Sequence, residues 1–442
     1  MGHRVAMIEQ ACRAMEARAI TIKRTSSLFE TAPMYVVDQD PFVNGVCEQV
    51  ETYMSPMELL DTLQSIESEM GRRKVIDKGP RVIDLDILLY DNQRVSNDRL
   101  NIPHQLMLER EFVLRPLCQL IPRQHPSGVK GPGSYLTYLN KLPTSYPVAV
   151  TPLAKTLPTL DTSGPNCHTH IMAILNVTPD SFSDGGIHTS GNPEVIANTI
   201  REYVQAGATI IDVGGESTRP GSDPIPESVE LSRVIPAIKL IRSLPECSKV
   251  AISIDTYRAS VAEAAVAAGA DIINDISAGL MDPCMLSTMA RLQKTVILSH
   301  MRGTPKTMST QVDYPDGVLA GVRDGLSERI AAAEAAGVRR WRIIADPGIG
   351  FAKNEAQNLT LLREFNQLRE SETLRYLPWL VGTSRKGFIG SITGVDKPSE
   401  RTWGTAAAIT AAIAKGTDIV RVHDVRQMAQ VALMADALFR EH

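Results

Sequence analysis

The sequence predicts an α/β barrel over its C-terminal two-thirds, preceded by a smaller α+β region. Three observations lead there. Eight short apolar runs of buried-strand length recur between residues 168 and 442. Ala-rich helical stretches, such as residues 261–268 and 327–336, stand between them. Nearly every apolar run ends on a polar or charged side chain, as active sites built on barrel strands require.

In chain order, residues 4–15 carry apolar side chains at helical spacing, which predicts an amphipathic helix with no strand or cap ahead of it. Residues 21–29 and 42–50 read as strands. Ser55-Pro56 opens a helix running to Met70, with Ser at the cap, Pro at the first helical position and Glu58 in the first turn. Residues 79–90 (Gly-Pro-Arg-Val-Ile-Asp-Leu-Asp-Ile-Leu-Leu-Tyr) read as another strand. Asp84 and Asp86 then share one face, since strand side chains alternate. Two such carboxylates repel unless a cation lies between them, and magnesium with nucleotide phosphates suits that oxygen set. Arg72, Arg73, Lys74 and Lys78 stand just before, placed to close over phosphates. An edge strand with solvated acids gives the same D-x-D pattern; the Gly79-Pro80-Arg81 turn favours the phosphate site. Residues 146–167, rich in Pro, Thr and Ser, read as a linker between domains at 1–145 and 168–442.

The eight barrel runs are residues 171–175, 209–213, 250–254, 271–273, 295–298, 342–344, 379–381 and 419–420. Eight βα units in this length fit a TIM barrel; a doubly wound open sheet is the alternative. The strand ends supply Asn176, Asp212, Asp255, Asn274, His300, Asp346, Ser384 with Lys386, and Arg421 with His423. Any one of them could cap a helix, but a whole rim of them is harder to explain that way. Asp and Asn can donate and accept in one plane, which suits a flat heterocycle, and the cations suit anionic phosphate oxygens. Asp346-Pro347-Gly348-Ile349-Gly350-Phe351 is the clearest case, a carboxylate followed at once by a glycine turn.

Composition narrows the class. Of 442 residues, 43% are hydrophobic and 22% charged, as in ordinary globular protein. A net charge of −4 offers no electrostatic case for nucleic acid or an anionic membrane. Six scattered cysteines without a C-x-x-C pair fit a reducing compartment, neither zinc site nor disulfide framework. No apolar run spans a bilayer and no secretory signal or other targeting segment is visible, so the cytoplasm or the mitochondrial matrix is expected.

Residues 1–145 resemble 6-hydroxymethyl-7,8-dihydropterin pyrophosphokinase through Ser26 to Pro33, Phe42-Val43-Asn44, Gly79 to Asp86, Ile102-Pro103-His104 and Arg110 to Leu114. The resemblance implies a ferredoxin-like α+β fold and transfer of pyrophosphate from ATP to the pterin hydroxymethyl group. It implies Mg2+ on Asp84 and Asp86, pterin on Asn44 and Phe112, and ATP near Glu67, Arg72, Arg81, Arg99, His104 and Arg110. The family's opening strand and Gly-Ser-Asn-Leu-Gly turn have no counterpart here, so a domain lacking its first strand, with weakened kinase activity, is expected.

Residues 168–442 resemble dihydropteroate synthase through seven motifs in order: Ile174 to Gly186, Asp212 to Gly221, Ser253 to Thr256, Ile273-Asn274-Asp275, Asp346 to Phe351, Ser384 to Phe388, and Arg421 to Asp424. This implies condensation of 6-hydroxymethyl-7,8-dihydropterin diphosphate with 4-aminobenzoate. Asp255, Asn274, Asp346 and Lys386 would hold the pterin. Asn176, Arg421 and His423 would hold the diphosphate, with Mg2+ at Asn176. Thr218, Arg219 and Ser384 would contact 4-aminobenzoate, where sulfonamide inhibitors compete. The family's barrels usually form homodimers. Methyltetrahydrofolate-dependent methyltransferases have a similar pterin barrel but not the Ser217 to Gly221 or Ser384 to Phe388 loops, and a non-catalytic kinase-like scaffold is a further alternative.

Overall fold

The computed structural model describes residues 4–33, 40–49, 52–72, 82–126, 133–143, 148–155, 157–162, 164, 167–178, 193–217 and 221–440. The chain forms two compact units, Met1–Val150 and Thr151–His442.

In the first unit, helices Arg4–Glu16 and Pro56–Glu69 form as the spacing predicts. Ser55 and Glu58 make a reciprocal capping box: Glu58 accepts from the Ser55 amide at 2.7 Å, and Ser55 Oγ from the Glu58 amide. Each of the first two expected strands is split. Ile22–Thr25 pairs antiparallel with Cys47–Gln49, whereas Leu28–Thr31 pairs with Phe42–Asn44. The breaks fall at Ser26-Ser27 and Gly45-Val46. Ser26 Oγ accepts from the Val46 amide at 2.9 Å, and a Cβ on Gly45 would meet Leu28 Cδ2 at 2.7 Å. The bend leaves little room for a side chain at Gly45, and it hands the two halves to different sheets.

The strand expected at residues 79–90 does not form over residues 82–90; residues 79–81 lie outside the described residues. An extended segment becomes a strand only by pairing its backbone. Here the Leu85 amide donates to the Glu67 carboxylate at 2.7 Å and Leu88 O accepts from the His104 amide, so those bonds go elsewhere. The alternation survives: Asp84 and Asp86 are exposed and Ile87 is buried. The stretch read as a linker also carries order. Strand Val148–Pro152 pairs with Leu28–Thr31 through Val148, Ala149 and Val150, and Thr159–Asp161 is a second strand.

The second unit is a barrel of eight parallel strands: β1 His170–Asn176, β2 Ile210–Gly214, β3 Ala251–Asp255, β4 Ile272–Asp275, β5 Thr295–Ser299, β6 Ile343–Asp346, β7 Leu380–Val381 and β8 Ile419–Val422. The ladder runs β6-β5-β4-β3-β2-β1-β8-β7. A bridge between Ala345 and Trp379, with the Ala345 amide donating to Pro378 O at 2.9 Å, closes it. That closure excludes the open doubly wound sheet.

Strand alternation then builds the site. One apolar residue per strand forms the barrel floor: Met172, Ile210, Ala251, Ile272, Ile297, Ile344, Leu380 and Ile419, sealed by Leu153 and Leu160 of the supposed linker. Two residues further along, the same inward face carries Asp212, Ser253, Asn274, Ser299, Asp346 and Arg421. Two more bring Asn176, Asp255 and His423 to the rim. Among the described residues no helix is long and apolar enough to cross a membrane.

Candidate active site

The barrel rim gathers most of the expected residues into one hydrogen-bonded set. Arg421, on β8, reaches across the barrel: its Nε donates to Asp212 Oδ2 at 2.6 Å and its Nη2 to Asp255 Oδ2 at 2.7 Å. Asn274 Nδ2 lies 3.3 Å from Asp212 Oδ2. Asp255 Oδ1 is buried with no hydrogen-bond partner. Burial pushes the Asp255 carboxyl up to about 7, opposed by the Arg421 guanidinium.

Asp346 sits opposite. Its Oδ1 accepts from the Gly348 amide at 2.8 Å and its Oδ2 from Ser299 Oγ at 2.9 Å. Burial raises its carboxyl, and those two bonds oppose the shift. Gly348 and Gly350 take φ of +66° and +80°, which lets the chain turn back immediately after the strand. The turn brings the Phe351 ring 4.2 Å from Lys386 Nζ. Burial, then the nearby Arg421 charge, push the Lys386 ammonium down to about 8.

Ser384 and His423 meet: Ser384 Oγ lies 3.1 Å from His423 Nδ1 and accepts from the His423 amide at 3.2 Å. Residues expected to touch different substrates therefore share one corner. Asn176 Oδ1 stands 3.3 Å from where a Cβ on Gly214 would lie, so only glycine there leaves the rim open beside it. Thr218, Arg219 and Arg81 lie outside the described residues. The base of that β2 loop is fixed: Arg258 binds both Glu216 and Glu230 and donates to Ile225 O at 2.7 Å.

In the first unit, Glu67 is buried and binds both Arg72 and the Leu85 amide, and Arg72 reaches Asp84 at 2.9 Å. Burial raises the Glu67 carboxyl, with the Leu85 amide as the chief opposing influence. Asn44 Nδ2 donates to Thr31 Oγ1 at 2.7 Å, and the Arg110 guanidinium lies 5.6 Å from the Phe112 ring centre. His104 Nδ1 accepts from the Leu106 amide. Arg99 instead pairs with Asp61 at 2.5 Å and with Gln64, on the outer face of helix Pro56–Glu69.

Sequence reasoning gave no role to Asp212, Ser299, His300 or Lys353. Asp212 and His300 already stood among the strand-end residues. Ser299 was accessible by register, since it lies level with Asp346. Lys353 carries no local signal beyond lying two residues past Phe351.

The donors suit magnesium. Asp84 and Asp86 are hard oxygen ligands on one exposed side of their segment, and Asn176 offers an amide oxygen, with phosphate oxygens available to complete a shell.

Comparison with known proteins finds relatives for both parts of the chain. Residues 172–423 match the pterin binding enzyme family, and residues 1–122 match 7,8-dihydro-6-hydroxymethylpterin-pyrophosphokinase. The folic acid synthesis protein fol1 of Pneumocystis carinii is 45% identical over 100% of this chain, which spans 59% of that relative's length. The mitochondrial folate synthesis bifunctional protein of Arabidopsis thaliana is 39% identical, with 100% of this chain and 82% of that one covered. Among solved structures, Xanthomonas albilineans dihydropteroate synthase with 4-aminobenzoic acid is 38% identical, with 65% of this chain and 97% of that chain covered at a TM-score of 0.57. Yersinia pestis dihydropteroate synthase with a sulfonamide drug is 37% identical, with 64% and 96% covered, also at 0.57. The chain therefore belongs to the pterin binding enzyme family and, over its full length, to the bifunctional folate synthesis proteins.

Proposed function

We propose that this chain carries out two consecutive steps of folate synthesis. The domain at residues 1–145 transfers pyrophosphate from ATP to 6-hydroxymethyl-7,8-dihydropterin. The barrel domain at residues 168–442 joins the resulting diphosphate to 4-aminobenzoate, giving 7,8-dihydropteroate and pyrophosphate.

The observation that carries the barrel reading is Asp255 Oδ1, a buried carboxylate oxygen aimed into the rim without a donor. A buried acceptor left unmade costs about 1–3 kcal/mol, and a flat heterocycle with adjacent NH groups supplies the donor. Asp255, Asn274 and Asp346 read the pterin edge, and Lys386 holds its ring oxygen or nitrogen. Arg421, His423 and Asn176 take the diphosphate; Arg421 must then loosen its hold on Asp212 and Asp255. Thr218, Arg219 and Ser384 contact 4-aminobenzoate.

The reaction asks for charge stabilisation more than acid-base work. The methylene C–O bond breaks with its electron pair leaving on the diphosphate. The amine lone pair of 4-aminobenzoate forms the new C–N bond, and the amine proton passes to solvent. Arg421 and His423 stabilise the departing charge, while Asp346 and Asp255 fix the ring so that the methylene faces the amine. Asn176 would hold a magnesium ion, which would supply positive charge beside the leaving group. In the kinase unit, Asp84 and Asp86 would hold magnesium against ATP, with pterin at Asn44 and Phe112 and the phosphates near Glu67, Arg72, Arg81, Arg99, His104 and Arg110.

We place the enzyme in the cytoplasm or mitochondrial matrix, consistent with six free cysteines. A homodimer through the barrel is supported by Trp403, 86% exposed, and by Leu433 and Met434 on the neighbouring helix. The test of the central reading is Asp346→Asn. Removing one charge-assisted acceptor costs about 2 kcal/mol or more, so condensation should fall by roughly thirtyfold or more in a barrel that still folds. A variant that turns over like wild type would overturn the assignment.

A further inference from the structure

We propose that Lys353, which is hydrogen-bonded to none of the residues proposed to touch substrate, is a positioning residue that sets the affinity for the pterin diphosphate by tying down the turn after Asp346. The proposal rests on the reading of the barrel as a pterin site and adds a residue to it.

Lys353 is buried, with 8% of its surface exposed. Its Nζ donates to His300 Nδ1 at 3.0 Å, Gly348 O at 3.0 Å and Phe351 O at 2.9 Å. An ammonium has three protons, and these are its three close acceptors, with His300 O a fourth at 3.5 Å. Two of these are backbone carbonyls at the two ends of the Gly348–Phe351 turn, so the cation reinforces the closure made by the Phe351 amide donating to Gly348 O at 3.0 Å. The third fixes the cation itself. The His300 ring packs closely against Gly325, where an added Cβ would come within 2.9 Å of its Cδ2.

The turn in question delivers two contacts to the rim. The Gly348 amide reaches Asp346 Oδ1 at 2.8 Å, and the Phe351 ring lies 4.2 Å from Lys386 Nζ. A Cβ on Gly348 would stand 2.0 Å from His300 O, so the turn packs directly against the β5 end. Asn358 braces the same turn, accepting from the Gly350 amide at 2.7 Å. Without the ammonium, Phe351 O loses the Lys353 donor and Gly348 O keeps only the Phe351 amide at 3.0 Å, so the two pterin-facing residues lose part of what fixes their spacing. Misplacement of binding groups by about an ångström is enough to lose orders of magnitude in rate.

The test is Lys353→Met, which keeps the unbranched stem and removes the three donors. Direct titration with pterin diphosphate should show affinity weakened by roughly tenfold or more, while the KM for 4-aminobenzoate stays within about twofold. His300→Phe, which removes one of the three acceptors, should weaken pterin binding in the same direction by a smaller factor. It also serves if Lys353→Met does not fold. Unchanged pterin affinity in a folded variant would overturn the proposal, as would an equal loss for both substrates. Because titration reads binding alone, a wild-type chain that binds pterin diphosphate but does not condense it counts against the proposed function and leaves this test intact.

Discussion

Arg421 and Asp255 are joined at 2.7 Å across the mouth of the barrel, and the pair leaves Asp255 Oδ1 buried and unmatched. The same cation grips Asp212 at 2.6 Å, so the substrate-free rim is held together by a charge that substrate must compete for. Burial alone would neutralise Asp255; Arg421 is what keeps an ionised carboxylate accessible near neutral pH.

A pH dependence follows from Asp255, whose carboxyl is pushed up to about 7. Only the ionised form accepts from two donors, so pterin affinity should be full above pH 7 and fall as the group is protonated below it. The limiting slope is about tenfold per pH unit. Asp255→Asn should bind weakly and lose that acidic limb. A KM for pterin diphosphate that is flat from pH 5 to 8 would count against this role.

Lys386 behaves in the opposite sense. Its ammonium, pushed down to about 8, is lost as pH rises through that value, so turnover should decline on the alkaline side. A lowered lysine pKa means that the folded state holds its proton less tightly than the unfolded chain, and stability therefore rises between pH 8 and the ordinary lysine value of 10.5. Lys386→Met should accordingly melt no lower than wild type at pH 7 while losing the alkaline limb and most of the activity. Thermal melts beside a pH–rate profile separate the two effects.

The barrel could be read in the sequence because its signals are periodic. Eight apolar runs recur with helical stretches between them, and alternation places Asp212, Asn274, Asp346 and Arg421 on one inward face whatever the loops do. What escaped depends on partners distant in the chain. Asp84 and Asp86 lie on a segment with good strand chemistry, yet Leu85 donates to Glu67, and no local pattern reveals that. Residues 146–167 look like a connector because they are rich in proline, yet Leu153 and Leu160 fill the barrel floor. Lys353 is one of many lysines until His300, 53 positions earlier, is brought to its Nζ.

Sulfonamides should compete with 4-aminobenzoate for the corner where Ser384 Oγ meets His423 Nδ1. The base of the adjacent β2 loop is held by Arg258, while Gly221 donates to Pro305 O at 2.8 Å. On the proposed placement of 4-aminobenzoate, small changes at Ser217, Thr218 or Pro220 should weaken the drug more than the substrate. Steady-state inhibition at several 4-aminobenzoate concentrations checks this, and inhibition indifferent to that concentration would move the drug elsewhere.

The kinase unit offers a test that leaves the barrel untouched. Glu67 is 3% exposed and is the only described residue given a bond to the Leu85 amide, between the two aspartates proposed to hold magnesium. Its other oxygen binds Arg72, which in turn reaches Asp84 at 2.9 Å. Glu67 thus fixes both the acidic segment and the cation beside it. In Glu67→Ala the Leu85 amide loses its acceptor, at a cost of about 1–3 kcal/mol for a buried polar group, and Arg72 loses one of its two carboxylate partners. The segment then no longer presents Asp84 and Asp86 together, and magnesium-dependent transfer from ATP should fall by about tenfold or more. Glu67→Gln keeps an acceptor for Leu85 but not the charge facing Arg72, so it should recover part of the loss. Condensation by the barrel, assayed with supplied pterin diphosphate, should be unchanged in both variants. Kinase activity equal to wild type in a folded Glu67→Ala chain would show that the acidic segment is held by other contacts.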